Sequence, residues 1–165
     1  ILTRMAVERD TVTFVCTGNT CRSPMAEALL RATLAKRGQG LEQLKVASFG
    51  LAAQDGQPVS ANSVKAMQRI GLDVSGHLSR LLTQADVDRS AVIFGMTESH
   101  LAALHSRFDV LPDFVLLLRD VLPTDVPRDI ADPFGGGYRD YEECRDSMVE
   151  AMPAMVEFLR QNLSR

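Results

Sequence analysis

Thr11–Cys16 reads TVTFVC, with every residue β-branched, aromatic or sulfur-bearing. A run with so little polar alternation belongs to a strand covered on both faces. It stops at Thr17-Gly18-Asn19, a turn composition, and Ser23-Pro24 then reads as an N-cap followed by the first helical position. A doubly covered strand that hands over directly to a helix opens a βαβ unit. The chain is therefore expected to build a parallel sheet with helices on both faces and right-handed crossovers.

The rest of the chain keeps that alternation. Lys45–Phe49, Ala91–Met96 and Phe114–Leu118 read as three further strands. The first helix turns Ala26, Leu29, Leu30 and Leu34 inward and ends at Gly38 or Gly40. A second, capped by Ser60 and closed by Gly71, presents Ala61, Val64, Met67 and Ile70. A third starts at Thr97, with Leu101, Leu104 and Phe108 inward. After a Pro-, Asp- and Gly-rich loop to about Gly137, residues Tyr141, Cys144, Met148, Met152, Met155, Leu159 and Leu163 fall at helical spacing. Pro153 should kink or break that last helix, because it lacks an N–H and crowds the preceding turn. The expectation is one three-layer α/β domain with a four-stranded parallel sheet. Its ligand site lies at the C-terminal ends of the strands, the first of which is Cys16.

At 165 residues the chain is one domain long, large enough to bury a core without disulfides or metals. The domain is expected over 5–165, with Met5 as the native start and Ile1–Arg4 as added residues. A net charge of −3 without a basic run argues against nucleic acid and anionic membranes as partners. No apolar stretch approaches the roughly 18 residues needed to span a bilayer. Three cysteines, an odd count with no secretion signal, point to reduced thiols in a cytoplasmic protein, expected to be a monomer.

The chemistry concentrates in Cys16-Thr17-Gly18-Asn19-Thr20-Cys21-Arg22-Ser23. A loop curling between a strand and a helix N-terminus points successive backbone N–H groups into one hollow, which suits a phosphate dianion. Gly18 lets the backbone bend, and Arg22 can supply two parallel charge-assisted bonds to phosphoryl oxygens. The same positive field favours the nucleophilic thiolate of a cysteine at that place. The plainer alternative is that Cys16 closes a buried strand and Arg22 is a surface charge.

Val15–Glu27, VCTGNTCRSPMAE, resembles the phosphate loop of the low-molecular-weight protein tyrosine phosphatases. Ser48-Phe49-Gly50, His77-Leu78-Ser79-Arg80, Met96-Thr97 with His100, and Asp132-Pro133-Phe134-Gly135-Gly136 are similar to further stretches of that family, in the same order. The resemblance implies catalysis by Cys16 as nucleophile, Arg22 as phosphate clamp and Asp132 as general acid and then base, with no metal or organic cofactor. It implies substrate contacts from Thr17, Gly18, Asn19, Thr20, Cys21, Ser23 and Phe134. It also implies a supporting network of Asn19, Ser23, Ser48 and His77. Taken alone, Asp132-Pro133 is equally an ordinary turn, Ser23 only an N-cap and His77 only a loop histidine. For Cys21 the resemblance implies a reversible disulfide with Cys16, against the reading of a packed small side chain. Cys144 is assigned to the core, and His100 and His105 to solvated helix surface.

The implied partners are phosphorylated proteins. Thr20, within Cys-Thr-Gly-Asn-Thr-Cys-Arg-Ser, and Asp-Pro-Phe-Gly-Gly are similar to the family's bacterial protein-arginine phosphatases. Tyrosine-directed members usually carry an aliphatic residue at the first place and Tyr or Trp after Asp-Pro. Phosphoarginine is thus the expected substrate, with phosphotyrosine as the alternative. An arsenate reductase would need two more redox cysteines near residues 80–95, and Arg80–Gly95 has none. A non-catalytic phosphate binder would be expected to lack one of Cys16, Arg22 and Asp132.

Overall fold

The computed structural model describes residues 7–164, so the expected start at Met5 and the added Ile1–Arg4 lie outside the described residues. Four strands form one parallel sheet in the order β2-β1-β3-β4: β1 Thr11–Cys16, β2 Lys45–Gly50, β3 Ser90–Gly95 and β4 Phe114–Leu117. Five α-helices accompany them: α1 Arg22–Arg37, α2 Ala61–Gln68, α3 Gln84–Arg89, α4 Glu98–Arg107 and α5 Tyr138–Leu163. A 3₁₀ turn, Leu118–Val121, follows β4. The α/β architecture and its four parallel strands are as expected.

Both faces of β1 are buried, which accounts for its unbroken apolar run. Val12, Phe14 and Cys16 look toward α1 and α5, where Met25, Leu30, Met148, Met152 and Met155 close the larger core. Phe14 stacks there on Phe94 at 5.6 Å between ring centroids. Val15 looks the other way, with Phe49, Ile93, Val87 and Leu104, under α3 and α4. The chain leaves β1 toward β2 on one side and later returns to β3 on the other. The C-terminal end of β1 is therefore the switch point where the following loops diverge and leave a crevice.

Several local expectations are corrected. Pro153 lies within one continuous helix and does not break it. It sits on the exposed side while Met152, Met155, Val156 and Leu159 are buried. Burial of that stripe outweighs the loss of about 3 kcal/mol expected for an interior proline. In α2 the buried face is Ser63, Ala66 and Met67, and Ile70 lies past the helix end, exposed. Helix α3 was not anticipated. It is six residues long with one buried apolar residue, Val87, too short for a periodic signal. Its only sequence mark is the cap Thr83-x-x-Asp86, where the Thr83 Oγ1 accepts from the Asp86 N–H.

β2 is an edge strand, and its outer carbonyls are occupied. Arg31 donates to the Val46 carbonyl at 2.7 Å and Arg80 to the Ser48 carbonyl at 3.3 Å, with the Arg80 guanidinium over the Phe49 ring.

Candidate active site

The loop after β1 is turned inside out by its neighbours. The carbonyl oxygens of Cys16, Thr17 and Thr20 accept from the N–H groups of Leu51, Ala52 and Ser60. A trans peptide sets its N–H opposite its C=O. Anchoring those three carbonyls outward therefore turns the amides of Thr17, Gly18 and Cys21 toward the hollow. The end of β2 must come very close for this: a Cβ on Gly50 would meet the Thr17 carbonyl at 2.7 Å and the Ala53 Cβ at 2.5 Å.

Asn19 is the one non-glycine residue with positive φ among the described residues, at 57°. That conformation costs of the order of 1 kcal/mol, and the side chain holds it in place. Asn19 is fully buried with its amide bonded on every side. Its Nδ2 donates to the Ser23 Oγ at 2.8 Å and the Ser48 Oγ at 3.0 Å. Its Oδ1 accepts from the His77 Nε2 and the Arg80 N–H, both at 3.0 Å. Of the four residues expected as a supporting network, Asn19 thus bonds each of the other three.

Ser23 does not cap α1. The helix begins at Arg22 with Cys21 in the N-cap position, two residues before the expected cap, and Pro24 lies within the first turn. The Ser23 hydroxyl serves the loop instead, 2.9 Å from the Cys16 Sγ. Asn19 donates to this oxygen, and the hydroxyl's own proton has two acceptors in reach, the Cys16 Sγ and, at 3.5 Å, the Phe49 carbonyl. The Asn19 N–H also reaches the Cys16 Sγ, at 3.3 Å. Two donors thus converge on a cysteine that is 3% exposed.

Arg22 is buried and donates to the Ile130 carbonyl at 3.0 Å. Its other terminal nitrogen is 3.6 Å from Asp132, whose side chain is half exposed. The remaining Asp132 oxygen accepts from the Phe134 N–H at 3.1 Å, closing a tight Asp-Pro turn that leaves the Phe134 ring in solvent. Around the mouth, Thr17 is exposed and Gly18 and Thr20 are half-buried. The Thr20 Oγ1 has a distant contact with the Cys21 Sγ at 3.9 Å, and that sulfur donates to the Ser60 Oγ. All three cysteines are free thiols.

A buried cysteine beneath inward-facing amides, a buried arginine and an aspartate across the opening form a phosphoryl-transfer constellation on the switch point of a parallel sheet. Residues 11–165 match the family described as low molecular weight phosphotyrosine protein phosphatase. The chain belongs to that family. The protein-arginine-phosphatase of Bacillus subtilis is 32% identical over 92% of this phosphatase and 97% of its own length. A probable low molecular weight protein-tyrosine-phosphatase, EpsP, of Ralstonia nicotianae is 33% identical, with coverage of 91% and 96%. Among solved structures, YwlE arginine phosphatase, in a cysteine-to-serine mutant whose active-site serine is phosphorylated, superposes with a TM-score of 0.84. It is 30% identical, covering 93% of this chain and 97% of that one. The phosphatase is accordingly a hydrolase of phosphoproteins that works through a cysteine intermediate.

Two residues depart from their sequence assignment or add to it. His100 is not solvated: it is 4% exposed, and burial first, then Arg22, press its pKa down to about 4. Its Nδ1 accepts from the N–H groups of Met96 and Thr97, so the proton sits on Nε2, 3.2 Å from the Thr17 Oγ1. The available signal was its place three residues after the Thr97 cap. Arg80 reaches the site through its backbone N–H on Asn19, which no side-chain pattern announces. Cys144 is core, as expected, and burial pushes its thiol up to about 12.

Proposed function

We propose that this phosphatase hydrolyses protein phosphoarginine, with Cys16 as nucleophile, Arg22 and the loop amides as the phosphoryl cradle, and Asp132 as general acid and then base. The Cys16 thiolate attacks phosphorus in line and forms a cysteinyl-phosphate as the P–N bond breaks. Asp132 protonates the departing guanidine nitrogen. The resulting carboxylate then takes a proton from water, which attacks the cysteinyl-phosphate and releases phosphate and the thiolate. The Ser23 hydroxyl stabilises that thiolate, and Arg22 balances the equatorial oxygens throughout. Asn19, Ser48 and His77 hold the loop in its strained turn. Cys21 packs against Ser60, and under oxidation it pairs with Cys16 in a reversible disulfide on this reading.

The observation that carries the substrate class is the polar mouth. The Thr20 hydroxyl sits half-buried at the rim with only a distant sulfur contact, so it can accept from a guanidinium N–H. Both tyrosines are already engaged elsewhere. Tyr141 is buried, and the ring of Tyr138 already faces the Lys65 and Arg69 cations at 4.3 and 4.5 Å. That leaves Phe134 as the exposed aromatic on the acid loop, suited to stacking on a planar guanidinium. The similar relatives named tyrosine phosphatases keep phosphotyrosine as the second reading. Three free thiols and the lack, among the described residues, of a helix long and apolar enough to cross a membrane support a cytoplasmic site of action. We also assign it monomeric action on phosphoproteins, without nucleic acid, as one domain over 5–165.

The test is phosphate release from phosphoarginine and phosphotyrosine peptides in parallel under reducing conditions. Faster release from phosphoarginine, with selectivity moving toward phosphotyrosine by roughly tenfold in Thr20→Ile, is the expected result. Equal or faster phosphotyrosine hydrolysis by the wild type would withdraw the substrate assignment and leave the fold and mechanism standing.

A further inference from the structure

The turn between β3 and α4 touches both halves of the site. On one side the His100 Nε2–H meets the Thr17 hydroxyl, in the first residue of the phosphate loop after Cys16. On the other, the Met96 carbonyl accepts from the Ile130 N–H at 2.8 Å, and the Glu98 N–H donates to the Asp129 Oδ1 at 3.3 Å. Ile130 is the residue whose carbonyl receives Arg22, and Asp132 follows two positions later. One short turn thus sets the nucleophile loop, the arginine and the base of the acid loop in a common frame.

The turn is shaped to deliver the imidazole. His100 is buried, and its Nδ1 is fixed as an acceptor by two main-chain N–H groups, leaving Nε2–H with one direction to point. The start of α4 packs so close to β3 that a Cβ on Gly95 would meet the His100 Cβ at 3.0 Å and the Leu101 Cδ2 at 3.2 Å. The Thr17 carbonyl is meanwhile held by the Ala52 N–H from the β2 side. Thr17 is therefore gripped from both sides, and its own amide is one of those turned toward the hollow.

We infer that His100 is a positioning residue for phosphoryl transfer, acting through Thr17 to fix the first amide of the phosphate loop. The inference rests on the reading of Cys16 as nucleophile. It does not depend on which phosphoprotein is the substrate, so p-nitrophenyl phosphate serves as the probe. The enzymes to compare are wild type, His100→Asn, Thr17→Val, the double variant and Thr17→Ser. Asparagine keeps an acceptor for the Thr97 N–H but is too short to reach Thr17. Valine removes the acceptor at nearly constant shape, and serine restores it.

Each of the first two variants should lower kcat by about fivefold to twentyfold with KM changed much less, since a misplaced donor is felt most in the transition state. The double variant should be no slower than the slower single, and Thr17→Ser, which keeps the hydroxyl, should recover most of the kcat that Thr17→Val loses. Multiplicative losses in the double variant would overturn the inference, as would wild-type kcat in Thr17→Val. The Thr17 variants decide the matter even if His100→Asn does not fold. Absence of wild-type turnover would remove the nucleophile assignment and the inference with it. Intact wild-type turnover without coupling would remove the inference alone.

Discussion

The phosphate loop and the acid loop face each other across the same opening and are built on opposite principles. In the phosphate loop Asn19 and Ser23 are fully buried, Cys16 and Arg22 nearly so, and three carbonyls are tied to two outside segments. In the acid loop Asp132 is half exposed and Phe134 is 79% exposed, and the turn is closed by local bonds, with Arg22 as its bridge across. A phosphoryl group is the same in every substrate, so the donors that hold it are best fixed in advance. Leaving groups differ in reach and basicity, so the acid that meets them gains from a mount open to solvent. Lesions that strand the hydrogen-bonded frame of the first loop should therefore damage stability and rate together, and lesions in the second should damage rate alone.

The largest effect should come from Cys16→Ser, which loses the nucleophile and lowers phosphate release by at least about 10⁴-fold while thermal stability stays near wild type. Asp132→Asn comes next. It should cost about 10²- to 10⁴-fold with a basic leaving group and much less with an acidic aryl leaving group, measured over aryl phosphates of graded leaving-group pKa. An equal loss across that series would break the comparison, because the aspartate would then be acting on the loop and not on the leaving group. Asn19→Ala should unfold in urea with a stability loss of about 4 kcal/mol, since it strands the groups that the amide satisfies. A loss under 1 kcal/mol would show that the strained turn is held by something other than that amide.

The smallest effect is a pH dependence. His100 sits at about 4 in the folded chain against 6.5 unperturbed, lowered by burial and Arg22 and partly restored by Asp132 and Asp129. Between those pH values the unfolded chain binds a proton that the folded chain refuses. The contribution is whole above about pH 6.5 and fades as pH falls toward 4, by about 3 kcal/mol in all. His77, lowered mainly by burial, works in the same direction. Urea unfolding at pH 7, 5.5 and 4 should show this slope, and His100→Asn should flatten part of it.

What could be read from residues alone follows range. β1, the loop and the start of α1 form one local unit whose pattern is complete within a few residues, and there the reading failed only on which residue opens the helix. Ser23 carries a cap-like side chain, but its hydroxyl is claimed by Cys16 and Asn19, a choice made by tertiary contact. His100 was misplaced for the same reason. A histidine in a helix's first turn looks solvated until β1 and β3 are brought side by side and Thr17 arrives at its ring. Pro153 was judged by local strain, and the buried methionines on either side of it decided otherwise.

The fifteen arginines, against three lysines, also find an explanation in the fold. Arg9, Arg22, Arg31, Arg80, Arg107, Arg119, Arg145 and Arg160 each donate to a main-chain carbonyl, a task suited to a planar head with several fixed donors. On β2 this has a consequence for assembly. An open sheet can grow by accepting a foreign strand at its edge, and such growth begins with vacant carbonyls. Here Arg31 and Arg80 already fill two of them. A strand arriving at that edge must displace a guanidinium before it can bond to either of those carbonyls. Because arginine keeps its charge across the working pH range, acidification does not lift the barrier. The edge nearest the catalytic loop is thereby sealed against templated stacking.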